Sequence, residues 1–427
     1  MNLAWARTWT LRVASVTGTQ TLVQILNGIV AFVLVRTLAK DDFAWFTLAI
    51  GMATVLSTLN DGGIASAVTA HGGPICQDRP RFSALLHAAL GILHRTAALA
   101  AAVVAPLLAW LLWQREAPLP IILVSVVLVV APQWLATRTV ILSTVNRLQS
   151  RVRQLQTLEL TGALTRALLT LVPAALGWVN LPFALAAVAA SIAAQALLVR
   201  RQVQPLIDAA SPPSLQAPFA ARIRETLRRM YPNAVFGCVQ AQLATALLAI
   251  FGSTSQVADL GALARLGFFI NLIGAPLGHL FAPAFARCTS ISRLRFHFLG
   301  VLGGYIVLLT AFILLVHTRS SLILSLFGPK YAHLHAELLL TAVSLSLHLI
   351  SQTFWSLNFS RGWVRWVWLN IPLSLTTQII AALLLPIDTV HGAILLSAAS
   401  AAPSLLLGFA ITVSHLVSAQ PSHSSAP

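Results

Sequence analysis

The chain has 427 residues, of which 57% are hydrophobic and only 9% are charged. Soluble globular domains are usually about 45–50% apolar and about 25% charged, so this composition excludes an ordinary soluble enzyme. Lysine and arginine outnumber aspartate and glutamate 27 to 11, which gives a net charge of +16. The basic residues lie scattered between apolar runs and form no nucleic-acid-binding motif. We therefore expect no nucleic acid partner and interpret the charge as a sign of membrane topology and of an anionic ligand.

Twelve apolar stretches are long enough to cross a bilayer, which takes about 20 residues with every backbone polar group hydrogen-bonded internally. They lie near 13–38, 43–65, 83–113, 119–145, 158–177, 180–199, 230–251, 257–285, 296–316, 334–360, 363–385 and 391–417. Turn-forming and charged residues separate them. The pattern predicts an all-α integral membrane protein with about 12 transmembrane helices. The first stretch lacks a small-residue cleavage site, so we interpret it as a membrane helix and not as a cleaved signal.

The basic residues of the loops predict the orientation of the chain. One alternating set of loops contains 18 arginines, whereas the other set contains only Lys40, Arg115, Arg319 and Lys330. Because cytoplasmic loops carry an excess of lysine and arginine, we expect the arginine-rich loops and both termini to be cytoplasmic.

The longest polar interruption divides the twelve spans into two groups of six. It contains four prolines and ends in a basic stretch. We predict an N-terminal six-helix lobe over 1–199, a cytoplasmic basic linker over 200–229, a C-terminal six-helix lobe over 230–419 and a disordered tail over 420–427. Polar residues repeat at helical spacing in the first span of each group, which indicates an internal repeat around a central cavity. These residues are Gln20, Gln24 and Asn27 in the first span and Asn233 and Gln240 in the seventh.

Five arginines fall inside the spans or at their ends: Arg36, Arg95, Arg138, Arg166 and Arg265. A charged side chain at mid-bilayer costs about 2.5–3.5 kcal/mol on insertion scales, so such residues usually face a cavity. We predict that these arginines and the five polar residues above bind the substrate, with Arg166 the deepest. For Arg36 and Arg138, a side chain that only reaches up to the lipid head groups is an equally good interpretation. Arginine outnumbers lysine 25 to 2. This bias fits phosphate recognition, because a planar guanidinium can bind two phosphate oxygens, although a GC-rich genome produces the same bias.

Acidic residues are scarce within the spans. Asp61 and Glu159 lie at the inner ends of the second and fifth spans and are candidates for ion coupling. Glu159 and Arg166 are seven residues apart and share one helical face, so they could neutralise each other, form an ion path, or be solvated at the interface. The chain has no phosphate-binding G-x-x-x-x-G-K-[ST] loop, no catalytic Ser/His/Asp constellation and no metal-ligand pattern. We expect no catalytic residues, no cofactor, no metal and no enzyme activity.

Four short segments occur in order at the ends of spans: Leu34–Phe43, Leu59–Ile64, Val257–Leu266 and Leu324–Tyr331. They resemble the corresponding segments of the polysaccharide or O-antigen unit flippases, a branch of the multidrug/oligosaccharidyl-lipid/polysaccharide exporter superfamily. Ala44 stands where that family commonly has a glycine.

The resemblance implies that the chain moves a polyprenyl-diphosphate-linked oligosaccharide from the cytoplasmic to the outer leaflet of a bacterial inner membrane, for polysaccharide or lipopolysaccharide biosynthesis. Membrane lipids are then partners, and polysaccharide polymerase and export proteins are further candidates. Two alternatives stay open. One is a cation-coupled small-molecule antiporter of the same superfamily, and the other is a non-transporting membrane scaffold for polysaccharide assembly.

Overall fold

A computed structural model describes residues 3–418 apart from 150, 209–210, 278–280, 282–284, 286–287, 289, 362 and 364–365. Side chains 3–17, 233, 275 and 417–418 also lie outside the description, as does the whole tail predicted at 420–427. Over the described residues the chain is helical, with no strand. It divides into two compact units, Met1–Leu243 and Ala244–Pro427.

The first unit contains seven helices and most of an eighth among its described residues. They are α1 (Leu3–Thr37), α2 (Lys40–Asp61), α3 (Ile64–Gly72), α4 (Arg79–Trp113), α5 (Leu119–Leu148), α6 (Val152–Ala175), α7 (Leu181–Val203) and α8 (Pro213–Phe251), which continues into the second unit. Helix α7 packs against α5 and α6, α1 packs on α6, and α2 packs on α4 and α5.

The second unit contains seven further helices among its described residues. They are α9 (Thr254–Leu263), α10 (Gly267–Pro276), α11 (Ile291–Thr318), α12 (Ser320–Phe327), α13 (His335–Ser360), α14 (Asn370–Leu384) and α15 (Val390–Ser418). Helix α13 packs against α15 and α11, and α14 packs against α15. The buried amide of Asn358 joins α13 to α15, because its Nδ2 donates to Gly408 O at 2.9 Å and its Oδ1 accepts from Thr412 Oγ1 at 2.9 Å.

Twelve helical segments of the described residues are long and apolar enough to cross a membrane, which confirms the predicted number of spans. Their outward faces are strongly apolar: Leu99 is 70% exposed and Leu383 is 80% exposed. Large exposed apolar surfaces of this kind mark contact with lipid or with another apolar partner. The chain is a multi-pass membrane protein.

The second and eighth predicted spans are interrupted. Helix α2 ends at Asp61 because Gly62 and Gly63 adopt positive φ values of 47° and 107°, which only glycine adopts easily. The Asp61 carboxylate then accepts hydrogen bonds from the backbone N–H groups of Gly63 and Ala65, and α3 begins. A short 3₁₀ turn over 264–266, in which no residue has a positive φ, separates α9 from α10.

The predicted linker over 200–229 differs from the observed structure. Its second half is helical and belongs to α8, which runs without a break through residues 213–251. The preceding residues are tied to α4: Asp208 N–H donates to Ser83 Oγ at 2.9 Å, and the Asp208 carboxylate pairs with Arg79 at 2.9 Å. The apolar face of α8 supplies the reason, since Phe219, Ile223 and Leu227 are buried in the core of the first unit.

Candidate substrate cavity

The first unit contains an open polar cavity of about 410 Å³ between α1, α2, α5, α6 and α7. It is lined by Val23, Asn27, Ile50, Ala53, Thr54, Ser57, Thr58, Gln133, Glu159, Gly162, Ala163, Arg166, Val188, Ser191, Ile192 and Gln195. Two charged and seven uncharged polar side chains are therefore gathered within apolar helices. Burial of so many polar groups is costly unless they are hydrogen-bonded to one another, to water or to a ligand.

Arg166 provides the positive charge of this cavity. It lies on α6 nine residues before the end at Ala175, which places it roughly 14 Å along the helix and near mid-membrane. Its Nε has no hydrogen-bond partner among the described residues. Gly162 and Ala163, one turn earlier on α6, line the same cavity. The side chain can therefore turn its donors toward a bound anion.

Glu159 lies two turns from Arg166 on the same helix and lines the same cavity. Its Oε2 accepts a hydrogen bond from Gln20 Nε2, so α1 contributes to the acidic end of the cavity. Asn27, two turns further along α1, also lines the cavity, and its Oδ1 has no partner among the described residues. The predicted shared face of Glu159 and Arg166 is observed, and the cavity carries one acid and one base at different depths.

Six polar residues of this cavity were not among the predicted site residues: Thr54, Ser57, Thr58, Gln133, Ser191 and Gln195. Gln133 and Ser191 are 8% and 5% exposed, Thr58 lies opposite them on α2, and Gln195 Nε2 donates to Leu158 O at 3.3 Å. A Cβ on Gly162 would overlap the Gln195 amide, so the glycine permits this close approach. Single glutamines within apolar spans were the available signal, since such side chains rarely face lipid.

Gln24, Arg36, Arg95, Arg138 and Gln240 do not line this cavity. Arg36 and Arg95 are exposed, and the Arg138 guanidinium lies 5.5 Å from the centre of the Trp134 ring. Gln24 and Gln240 are partly buried on α1 and α8. The Asn233 side chain lies outside the described residues. Among the described side chains, the structure therefore brings together Gln20, Asn27, Glu159 and Arg166.

Arg265 lies in the second unit, in the turn between α9 and α10. Its neighbours include the buried Tyr331 and Asp259, and Asp259 Oδ2 lies 3.6 Å from His333 Nε2. Burial raises the pKa of the Tyr331 hydroxyl above its usual range, the charge of Asp259 raises it further, and the charge of Arg265 opposes both effects. This cluster joins two of the segments that carry the family resemblance.

The structure contains no group of three or more His, Cys, Asp or Glu side chains that could hold a metal ion, within the part of the chain that it describes. The other acid predicted for ion coupling, Asp61, is engaged by the two backbone N–H groups that begin α3. Glu159 is therefore the acid that opens into the cavity, where a cation or proton could reach it.

The fold is that of twelve-helix transporters. The structure is similar to an inward-facing multidrug resistance MATE family transporter of the MOP superfamily, with a TM-score of 0.70 and 13% identity over 93% of this chain and 96% of that one. It is also similar to the lipid II flippase MurJ in an inward closed conformation, with a TM-score of 0.71 and 10% identity over 94% of this chain and 89% of that one.

A MOP superfamily transporter from Pyrococcus furiosus, whose binding pocket is described as reversed in polarity, gives a TM-score of 0.63 and 13% identity over 95% and 96% of the two chains. No protein-family model and no curated protein matches the sequence. At these identities the likeness shows the fold, which is shared by multidrug antiporters and a lipid flippase.

Proposed function

We propose that the protein flips a polyprenyl-diphosphate-linked oligosaccharide from the cytoplasmic to the outer leaflet of a bacterial inner membrane. The carrying observation is the polar cavity of the first unit, where the guanidinium of Arg166 lies near mid-membrane among uncharged hydrogen-bonding side chains. A multidrug pocket for apolar cations would need an acid without a base beside it, whereas the one acid lining this cavity, Glu159, shares it with Arg166. MurJ, which has this fold, is a lipid II flippase.

The chemistry of such a substrate explains why the cavity has this composition. Sugars and a diphosphate cannot cross hydrocarbon alone, because loss of hydration leaves their polar groups unpaired. The amides and hydroxyls of Gln133, Ser191 and Gln195 offer replacement hydrogen bonds, and Arg166 can hold two phosphate oxygens with its planar fork. The lipid tail stays in the bilayer throughout.

The test is a flipping assay with the purified protein in liposomes that contain the lipid-linked oligosaccharide. We expect Arg166→Ala to slow flipping by roughly tenfold or more, because loss of a charge-assisted bidentate contact costs about 1.5–3 kcal/mol. Arg166→Lys should retain part of the rate, since the charge remains but the fork does not. Arg265→Ala should also slow flipping.

The control is Arg153→Ala, which removes an exposed arginine from the first turn of the same helix. This variant should flip at the wild-type rate, and melting temperatures should show that all variants are folded. If both Arg166→Ala and Arg265→Ala flip the substrate at the wild-type rate, recognition of the diphosphate by these arginines is excluded.

A cation-coupled antiporter is the second candidate, because Glu159 opens into the same cavity. Under this alternative, Glu159→Gln abolishes transport of a small molecule and its dependence on a sodium or proton gradient. Under the flippase proposal, Glu159→Gln leaves the direction of flipping unchanged, and a cation gradient does not alter its rate.

Localisation, topology and partners complete the proposal. The excess of arginine in one alternating set of loops supports a cytoplasmic position for both termini. Polysaccharide polymerase and export proteins are the proposed partners, since they would consume a lipid-linked repeat unit on the outer leaflet.

A further inference from the structure

A second cavity of the first unit opens at a different place from the polar one. It has a volume of about 300 Å³ and lies between α2, α4 and α5. It is lined by Leu56, Asn60, His94, Ala97, Ala98, Ala101, Val130, Ala131 and Trp134. One part is a groove of alanines and a valine, and the other contains an amide, an imidazole and an indole. A groove that is apolar at one end and polar at the other suits an amphiphile.

Two polar atoms at this cavity lack partners within the part of the chain that is described. Asn60 is 1% exposed and its Oδ1 has no hydrogen-bond partner, and the buried Nε1 of Trp134 has none either. An unsatisfied buried polar group costs about 1–3 kcal/mol, so such groups normally meet water or a ligand. Both residues line the cavity, so each brings an unsatisfied polar atom close to a ligand bound there.

The charge at the polar end is positive. The Arg138 guanidinium lies 5.5 Å from the centre of the Trp134 ring, and the His94 ring lies 5.3 Å from the same ring. None of the nine lining residues is acidic. The polar end therefore favours an anionic group.

Helix lengths place this polar end at the predicted cytoplasmic boundary of the hydrocarbon. Asn60, His94 and Arg138 are each about 20 residues from the predicted outer end of α2, α4 and α5 respectively, which is roughly 30 Å of helix and the thickness of the hydrocarbon core. The alanine groove, which includes Ala98 and Ala101, lies deeper. A bound phospholipid would be arranged in the same order, with its head group at the boundary and its acyl chain in the deeper groove.

We propose that this cavity binds an anionic glycerophospholipid of the cytoplasmic leaflet. Its phosphate lies beside Arg138, His94 and the indole N–H of Trp134, and one acyl chain lies along Ala98, Ala101 and Ala131. The site is separate from the polar cavity, because no residue lines both. Arg138 then contacts the phosphate of a bound lipid. This extends the prediction that its side chain reaches up to the lipid head groups.

The proposal is tested by native mass spectrometry. Delipidated protein in detergent is mixed with phosphatidylglycerol or with phosphatidylcholine, and the lipid retained by the protein is measured. We expect one phosphatidylglycerol to be retained by the wild type, with roughly tenfold weaker retention after Arg138→Gln or after Ala131→Phe, which fills the exposed groove. The matched controls are Arg147→Gln on α5 and Ala102→Phe on α4, both exposed residues that do not line the cavity. Both controls should retain the lipid as the wild type does. Melting temperatures in phosphatidylcholine show whether each variant is folded.

Phosphatidylglycerol with brominated acyl chains provides a second measurement. Bromine quenches nearby tryptophans, so it should quench the wild type more than Trp134→Phe. The proposal is overturned by equal retention of the two phospholipids, by undiminished retention in both Arg138→Gln and Ala131→Phe, or by equal quenching. Displacement by inorganic phosphate alone, or tighter binding of a polyprenyl phosphate than of phosphatidylglycerol, would also overturn it.

Discussion

At the scale of single residues, environment decides what each arginine can do. Arg166 lies in a polar cavity with its Nε unpartnered among the described residues, whereas Arg138 lies over an indole ring and Arg265 lies near a buried tyrosine and a buried aspartate. All three have the same side chain and a similar apolar sequence context. Position in the helix identified Arg166 as deep, but only the packing of α1, α5 and α7 shows which groups surround it.

Tyr331 gives a prediction at this scale. Its raised pKa means that the neutral hydroxyl is favoured in the folded protein, so this group stabilises the fold below its ordinary pKa, near 10, and loses that effect as pH rises through the folded pKa. The wild type should therefore lose up to about 1.4 kcal/mol per pH unit from this group above pH 10. Melting temperatures between pH 9 and 11 should fall more steeply for the wild type than for Tyr331→Phe. Parallel slopes would contradict the prediction.

At the scale of elements, helix breaks are set by a few residues. The second span ends because two consecutive glycines have positive φ and Asp61 caps the helix that follows. Tyr231 and Met230 of α8 pack directly on these glycines, so a Cβ on Gly62 would overlap the Tyr231 ring. Local conformation and contact with α8 thus impose the same requirement for glycine.

Gly62→Ala should lower the free energy of unfolding by about 1–3 kcal/mol, through backbone strain and overpacking against Tyr231. Thermal unfolding in detergent measures the effect. Gly91→Ala is the control, because Gly91 is in α4 with open space around its Cα and should be neutral or slightly stabilising. In the double variant Gly62→Ala/Tyr231→Ala, the penalty for Gly62→Ala should shrink, because the overlap is gone. If Gly62→Ala lowers the free energy of unfolding equally in both backgrounds, overlap with Tyr231 contributes nothing and the whole loss comes from backbone strain.

At the scale of the whole molecule, twelve spans and the arginine bias predict where each loop lies. Replacement of Cys76, Cys238 and Cys288 would give a cysteine-free background. A cysteine at Glu116, between α4 and α5, should react with a membrane-impermeant maleimide in intact cells, where the outer membrane is made permeable. A cysteine at Arg153 should react only after the inner membrane is opened. The reverse pattern would invert the topology.

The proposed cargo also predicts a dependence on membrane potential. Moving about two negative charges outward, away from a negative interior, releases roughly 4–5 kcal/mol per 100 mV. Flipping in liposomes should therefore speed up when a potassium diffusion potential makes the donor side negative, and slow down when the potential is reversed. A rate that does not respond to potential would indicate that the diphosphate crosses with compensating cations.

Much of the fold and part of the site could be predicted from sequence. Span number follows from the apolar runs, and the face shared by Glu159 and Arg166 follows from helical periodicity. The linker was not predictable in the same way, because α8 is stabilised by burial of Phe219 and Ile223 in a core formed by distant helices. Proline and charge in its sequence indicated a loop, but tertiary packing favoured the helix.

The sequence by itself determined that this chain is a helical membrane protein with twelve spans, since hydropathy and backbone hydrogen bonding in lipid leave few other structures. Only the tertiary structure decided which polar residues meet. Gln133, Ser191 and Gln195 reach the cavity of Arg166 because of how α5, α6 and α7 pack, and Asn60 lines one cavity with His94 and Trp134 because α2, α4 and α5 pack against one another. Such contacts depend on the rotation and separation of helices that are far apart in the chain, and local propensity and periodicity carry no information about either.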